Sequence, residues 1–376
     1  MSSDVTPFRI EIPQADLDDL QTRLDLARFT DEFPDAYGVS VERVRRLTEY
    51  WRNGYDWRAW EARLNAHPQF TTDIDGQRIH FVHVRSAKPD ALPLILTHGW
   101  PGSFVEFLDV IEPLSKDFHL VIPSLPGFCF SGPTTESGWG TVRTARAWAE
   151  LMARLGYERY GAVGNDGGSM VSPEIGRHAP SNVVGVHVTQ IFSFPSGDPA
   201  ELTDLTEEEQ AAMGVLRWFW EEAGAFNVLH SQQPQTLAHA LADSPVGLLG
   251  WNGQLFDHEL DDDFVLTNVA LYWLTGTAGS AIRFYYENAK AAPSPAEPTT
   301  TPIGLASAKG DFQSIRRFAE RDHRNIAQWH TYESGGHYAA HLAPDVYAGD
   351  VRAFFSGLLQ DQHGQDQHGR EQHGRD

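Results

Sequence analysis

The stretch Gly164-Asn165-Asp166-Gly167-Gly168 has the residue types of a nucleophile presented on a sharp turn. A short run that ends in small and branched apolar residues, Arg159 to Val163, precedes it, and a helix-like segment follows as far as His178. Glycines on either side tolerate a tight backbone and let the central side chain stand clear of it. That residue is an aspartate, whose carboxylate suits attack on an sp3 carbon and leaves an alkyl ester for water to cleave. The alternative is a glycine-rich turn in which Asp166 only caps the helix.

Two later stretches offer a base and an acid to accompany Asp166. His337 follows two glycines in a predicted loop after the last strand, from which it would activate water against the ester. Asp311, in Lys309-Gly310-Asp311-Phe312, follows the preceding strand and would hold and polarise His337. The chain order of Asp166, Asp311 and His337 is that of nucleophile, acid and base in a hydrolase with an elbow of this kind. Other candidates for the acid are Glu287, Glu320 and Asp322.

A third stretch predicts an oxyanion hole. The apolar strand Leu92 to Thr97 runs into His98-Gly99-Trp100-Pro101, a turn that contains a glycine. In hydrolases with this elbow, such a turn gives one backbone N–H and the residue after the nucleophile gives the other. The donors here would be Trp100 and Gly167. An ordinary turn at the end of a strand is the alternative for this stretch alone.

The elements around these stretches predict an α/β protein with a mostly parallel sheet, because short apolar strands alternate with amphipathic helices. Residues 192–290 break the alternation, since they are helical in pattern, aromatic and acidic. We predict a helical extension (1–70), the first part of the core (71–191), an inserted helical lid (192–290), the second part of the core (291–360) and a disordered polar tail (361–376). The tail repeats Gln-His-Gly three times, which leaves weak metal binding as an alternative to disorder.

Composition excludes several classes of partner. The 376-residue chain has 41% hydrophobic residues and 11 tryptophans, enough for a sizeable core, and its formal net charge is -22. Such a charge disfavours nucleic acid and anionic membranes as partners. Cys129 is the single cysteine, so no internal disulfide is expected, and the start of the sequence has no pattern of a signal peptide. We expect a cytoplasmic protein.

Several motifs together resemble the microsomal-type epoxide hydrolases. They are His98 to Ser103, Leu125 to Gly127, the Asp166 elbow, Asp243 to Leu248, Tyr272 to Thr277, Gly335 to Ala340 and the N-terminal Trp51 to Trp57. The resemblance extends from Pro7 to Phe355. It implies an α/β-hydrolase fold with a helical lid, and the opening of a small-molecule epoxide to a vicinal diol without a cofactor or metal. It also implies two lid tyrosines that donate to the epoxide oxygen, and Tyr285 matches one of them.

The sequence departs from that family at two positions. The second tyrosine falls on Phe226, which has no donor, and the residue after the nucleophile, commonly tryptophan, is Gly167. We therefore expect a pocket that is wider beside Asp166, which would suit a bulky substrate, such as a secondary metabolite. The indole N–H groups of Trp218 and Trp220 are candidates to replace the missing donor. Phe226, Trp218 and Trp220 are accordingly predicted to line the substrate site.

Three other functions compete with epoxide hydrolysis. A haloalkane dehalogenase shares the aspartate chemistry but needs side-chain donors around a halide, and Gly167 counts against it. A serine esterase is disfavoured because Asp166 occupies the elbow. A ligand-binding protein on a hydrolase scaffold is favoured by Phe226 and disfavoured by the complete triad. The sequence leaves a homodimer open.

Overall fold

A mixed sheet runs through the computed structural model, which describes residues 4–33, 38–291 and 297–373, with backbone alone for 361–373. Within these residues it has nine strands: β1 (Thr6–Phe8), β2 (Gln69–Ile74), β3 (Gln77–Val84), β4 (Leu92–Thr97), β5 (Phe118–Pro123), β6 (Tyr160–Gly164), β7 (Val183–Val188), β8 (Ile303–Ala308) and β9 (Ile326–Tyr332). Their spatial order is β1-β2-β3-β5-β4-β6-β7-β8-β9. The pairs among β1, β2, β3 and β5 are antiparallel, and the pairs from β5 through β9 are parallel. The predicted mostly parallel sheet is therefore confirmed.

Helices cover the sheet and build the segment inserted after β7. They are α1 (Gln14–Asp25), α2 (Val41–Asn53), α3 (Trp57–Leu64), α4 (Leu108–Ser115), α5 (Thr141–Arg154), α6 (Gly167–His178), α7 (Glu207–Trp218), α8 (Ala225–Gln232), α9 (Pro234–Asp243), α10 (Pro245–Gly253), α11 (Asp262–Leu274), α12 (Ala278–Ala281), α13 (Arg283–Lys290), α14 (Arg316–Asp322), α15 (Ala339–Leu342) and α16 (Pro344–His373). Every residue of β5, β6, β7 and β8 is buried. Continuous apolar strands of this kind are typical of a parallel sheet covered on both faces.

The N-terminal helices tie the inserted helices to the sheet. β1 adds an edge strand beside β2, while α2 lies against α10 and α11. Arg46 forms an ion pair with Asp262 at the start of α11. The Tyr50 hydroxyl donates to Asp263 at 2.7 Å, and the Tyr55 hydroxyl lies 3.0 Å from that of Thr267. Because these contacts reach the first turns of α11, the N-terminal segment holds in place a helix that adjoins the site.

The end of the chain differs from the sequence prediction. A disordered tail was expected from residue 361, whereas α16 continues from Pro344 to His373. No proline follows Pro344, and glutamine, glutamate and arginine are good helix formers, so no residue in this stretch forces the helix to end at the core boundary. The last three residues lie outside the described part of the chain. Among the described helices, none is both long enough and apolar enough to cross a membrane.

Candidate active site

Asp166 lies on the turn between β6 and α6, at the edge of the sheet where the parallel strands end. Its backbone has φ 51° and ψ −116°, in a region that residues with a side chain rarely adopt. A Cβ atom on Gly168 would lie 1.8 Å from the Thr97 carbonyl oxygen, and one on Gly164 would lie 2.1 Å from that of Gly168. Both glycines are therefore required by close backbone approach, which holds Asp166 in this conformation.

The Asp166 carboxylate accepts from two backbone N–H groups. The Trp100 N–H donates to Oδ1 at 3.0 Å, and the Gly167 N–H also donates to this carboxyl. A Cβ atom on Gly99 would lie 1.9 Å from Oδ1. The carboxylate therefore occupies the space that the side chain of any residue other than glycine at position 99 would need. Burial raises the pKa of Asp166, while the charge of His337 and the two N–H groups favour the ionised form. The sequence predicted these two N–H groups as the oxyanion hole, and the structure places both at the Asp166 carboxyl.

His337 lies between two carboxylates in the loop before α15. Its Nε2 is 4.0 Å from Asp166 Oδ2, and its Nδ1 is 2.9 Å from Asp311 Oδ1. Burial favours the neutral ring, but the nearby carboxylates, Asp311 first, raise the pKa of His337 to about 10. Burial alone would raise the pKa of Asp311, yet His337 and a hydrogen bond from Gln190 bring it below its usual value. The two carboxylates therefore favour the charged form of His337, and His337 favours their ionised forms.

Of the competing acids, two have other partners. Glu320 pairs with Arg316 at 2.9 Å and Asp322 with Arg321 at 2.7 Å. Asp311 is the acid that lies against His337 Nδ1.

Tyr285 and Phe226 lie together beside Trp100. The Tyr285 ring is edge-on to both, with centroids 6.0 Å from each, while Phe226 stacks on Trp100 at 5.5 Å. Burial, with a smaller contribution from the charge of Asp166, raises the pKa of the Tyr285 phenol well above its usual range. The phenol therefore stays protonated and able to donate at physiological pH.

The structure does not group Trp218 and Trp220 with these residues. Their side chains are 57% and 50% exposed, and no ring contact joins either to Trp100, Phe226 or Tyr285 among the described residues. Phe219, between them, is the ring that faces inward, with its centroid 6.0 Å from that of Phe226. Phe219 begins a π-helical turn, Phe219–Ala223, that follows α7, and the tryptophans on either side of it are exposed to solvent. The prediction that they line the site was wrong.

The wider pocket expected beside Gly167 is not observed either. A Cβ atom on Gly167 would have ordinary contacts of 3.5 Å with Phe284 and with the Gly99 backbone. Phe284, on α13, is itself buried. Its ring occupies the place that a larger side chain at Gly167 would take, so the glycine does not enlarge the space beside the nucleophile.

Sequence reasoning missed two buried residues of the site. Gln190, just after β7, accepts from the Asp166 backbone N–H at 2.8 Å and donates to Asp311 Oδ2 at 2.5 Å. Glu106 is fully buried, accepts from Asn165 at 3.2 Å, and has a pKa raised well above its usual value by burial. The signal for Gln190 in the sequence is a polar residue directly after a buried strand of the parallel sheet, where site residues are expected to gather. Glu106 lies in a 3-10 turn well beyond the end of β4 and has no such signal.

Comparisons with known proteins point to one family. The family profile described as "Epoxide hydrolase N terminus" matches residues 5–107, and that described as "alpha/beta hydrolase fold" matches residues 93–288. A putative epoxide hydrolase of Stigmatella aurantiaca is 39% identical over 94% of this chain and 85% of its own length. Epoxide hydrolase 1 of Sus scrofa is 31% identical over 95% of this chain and 90% of its own.

Solved structures agree with the sequence relatives. The epoxide hydrolase of Aspergillus niger, 32% identical, superposes with a TM-score of 0.86 and covers 94% of this chain and 97% of that one. The juvenile hormone epoxide hydrolase of the silkworm Bombyx mori has a TM-score of 0.88, with 96% of each chain covered. At 22% identity, the silkworm protein supports the fold alone.

Proposed function

Because the chain belongs to the epoxide hydrolase family of the α/β-hydrolase superfamily, we propose that it opens a small-molecule epoxide to a vicinal diol through a covalent ester on Asp166. The observation that carries this proposal is the pair of contacts on one carboxylate. Oδ1 accepts from the Trp100 N–H at 3.0 Å, while Oδ2 lies 4.0 Å from His337 Nε2. One oxygen is held by the backbone and the other is left to react.

In the first step, Asp166 Oδ2 forms a bond to an epoxide carbon and the carbon–oxygen bond of the ring breaks. The electron pair of that bond goes to the epoxide oxygen, which takes a proton from the Tyr285 phenol. The ionised form of Asp166 is the nucleophile, and the charge on His337 favours it against the cost of burial. The product of this step is an alkyl ester that carries a neighbouring hydroxyl.

In the second step, His337 removes a proton from water and the resulting hydroxide attacks the ester carbonyl. The separation of 4.0 Å between Nε2 and Oδ2 is longer than a hydrogen bond and leaves room for a bridging water. Esterification removes the negative charge of Asp166, which is one of the charges that raise the pKa of His337. The pKa of His337 therefore falls after the first step. The proton that the ring gives up restores the Tyr285 phenol, and the neutral ring is then the base of the second step. Trp100 and Gly167 N–H groups stabilise the oxyanion. Its collapse breaks the bond to the alkyl oxygen, which takes the proton that His337 removed from water and leaves as the diol.

A single turnover in heavy-oxygen water tests the ester. Water attacks the carbonyl of Asp166, so one labelled oxygen should stay in the Asp166 carboxylate when the enzyme is in excess over substrate. Peptide mass spectrometry measures the label. Label in the diol alone after one turnover would overturn the ester and favour direct attack by water.

His337→Gln isolates the first step. The variant should form the Asp166 ester and then stall, giving an intact-protein mass increased by the mass of the substrate. Loss of a general base typically costs about 10²–10⁴-fold in rate. Asp166→Ala is the matched control and should give no adduct. Turnover of His337→Gln at the wild-type rate would refute the assignment of the base.

The space beside Asp166 supports an epoxide over an alkyl halide. A halide leaving group needs side-chain donors around it, whereas the position after the nucleophile is Gly167 and is covered by the ring of Phe284. We further propose a cytoplasmic location, which cell fractionation would test. Assembly as a homodimer stays a prediction.

A further inference from the structure

His230 is a buried imidazole among the rings that surround the proposed epoxide site. It lies on α8 four residues after Phe226, and its side chain is 0% exposed. Its ring centroid is 4.6 Å from that of Trp100, 4.9 Å from that of Tyr285 and 5.9 Å from that of Phe226, all edge-on. Residues four apart share one face of a helix, so His230 and Phe226 face the same neighbours.

The tautomer of His230 follows from its one described hydrogen bond. Trp251 Nε1 donates to His230 Nε2 at 2.9 Å. An indole nitrogen can only donate, so Nε2 must be the unprotonated nitrogen of the ring. Burial lowers the pKa of His230 to about 3, which keeps the ring neutral. The ring proton is therefore on Nδ1.

The Nδ1–H group has no hydrogen-bond partner among the described residues, although it is buried. Buried donors are nearly always paired in folded proteins, so an unpaired one beside a reaction centre indicates a group that arrives later. The rings nearest to His230 are those of Trp100 and Tyr285. The backbone N–H of Trp100 holds Asp166 Oδ1, and the phenol of Tyr285 is the proposed proton donor.

Resting on the proposed function, we propose that His230 Nδ1–H is the second donor to the epoxide oxygen and replaces the phenol that Phe226 lacks. The donor is displaced by one helical turn along α8, and Phe226 forms an apolar wall beside it. The neutral imidazole donates a hydrogen bond and keeps its proton, while Tyr285 supplies the proton that the alkoxide takes up. The exposed Trp218 and Trp220 are not needed for this role.

The test is the rate of Asp166 ester formation in His230→Gln, measured by rapid quench and mass spectrometry with styrene oxide. Glutamine offers an acceptor near the position of Nε2, so Trp251 keeps a partner, but it has no donor near the position of Nδ1. Loss of one preorganised donor should slow ester formation by about 10²-fold. Ester hydrolysis should stay within about twofold of wild type, because the epoxide oxygen is already protonated in that step.

A double variant, His230→Gln with Phe226→Tyr, separates a donor from a residue that only packs. A phenol at 226 should restore at least about 10-fold of the lost rate of ester formation. Trp251→Phe is the matched control for the hydrogen bond to Nε2. It should lower the rate less than His230→Gln does, because the Nδ1 donor is still present in part of the population.

The outcomes separate this proposal from the proposed function. If wild-type protein forms no Asp166 ester with any epoxide, the proposed function fails. If wild type forms the ester and His230→Gln forms it at the same rate, the donor role of His230 alone is overturned. Equal slowing of both steps, or no rescue by Phe226→Tyr, would assign His230 a packing role and overturn the donor as well.

Discussion

Gln190 is the residue whose replacement should disturb the site most without touching a reacting group. It is fully buried after β7. Its Oε1 accepts from the Asp166 backbone N–H at 2.8 Å and the Ser169 hydroxyl at 2.9 Å. Its Nε2 donates to Asn165 at 2.9 Å and to Asp311 at 2.5 Å. One amide thus joins the turn that carries Asp166 to Asp311, the carboxylate that lies against His337.

Gln190→Leu keeps most of the volume and removes every one of these hydrogen bonds. The Asp166 N–H would be left buried without this partner, at a cost of about 1–3 kcal/mol, and Asp311 would lose one of its hydrogen-bond donors, at about 1 kcal/mol or more. We expect the free energy of unfolding to fall by roughly 3 kcal/mol, because relaxation of the surrounding side chains offsets part of the summed cost of the lost hydrogen bonds. Losing the donor to Asp311 should also raise the pKa of that carboxyl. Since misplacing a reacting group by 1 Å can cost about 10²-fold, we expect turnover to fall roughly 10–10²-fold.

Urea unfolding and rapid-quench measurement of the Asp166 ester provide the two readouts. Gln313→Leu is the matched control, because Gln313 is partly exposed and donates only to the backbone carbonyls of Ala308 and Asp311. It should lose less than about 1 kcal/mol and keep its rate. A Gln190→Leu protein with wild-type stability and wild-type ester formation would refute the coupling between the turn and the acid.

Three further predictions concern single residues. Gly99→Ala puts a methyl group 1.9 Å from Asp166 Oδ1 and should slow ester formation by at least about 10²-fold, which adduct mass measures over time. Tyr285→Phe removes the phenol donor and should slow the same step by about 10²–10³-fold; an unchanged rate would place the donor elsewhere. Burial disfavours the charged form of His341, but Asp109 and a second carboxylate raise its pKa to about 9. Because the folded pKa exceeds the unfolded value of about 6.5, this stabilisation is complete below about pH 6.5 and is lost as the pH rises through about 9. Urea unfolding of His341→Phe should lack that dependence, which is about 1–2 kcal/mol after solvent screening.

Much of the candidate site could be predicted because its signals are local. The elbow glycines, the turn at Trp100 and the glycines before His337 are each short stretches that follow a strand closely. Tight turns need glycine for steric reasons that act within a few residues, so they leave a pattern in the sequence. The order of Asp166, Asp311 and His337 along the chain then agreed with their meeting at one edge of a parallel sheet.

Two predictions from the sequence about the site differ from the structure. One concerns the direction of the tryptophan side chains on the lid, and the other concerns the residue that fills the space beside Gly167. Trp218 and Trp220 were predicted in the pocket from their nearness in sequence to Phe226, but Phe219, at the start of a π-helical turn, is the ring that packs inward. Gly167 was expected to widen the pocket, but Phe284, more than a hundred residues later, covers it. Neither outcome is encoded within the stretch that prompted the prediction.

The sequence by itself determined the α/β class, the elbow and the aspartate at its centre as the candidate nucleophile, because hydrophobic period and turn glycines act over short distances. Only the tertiary structure decided which polar groups support that nucleophile. Gln190 reaches Asp311 across 121 positions, and the neutral tautomer of His230 depends on Trp251 in another helix. Hydrogen bonds between distant segments require a closed core, and they carry no periodic signal along the chain.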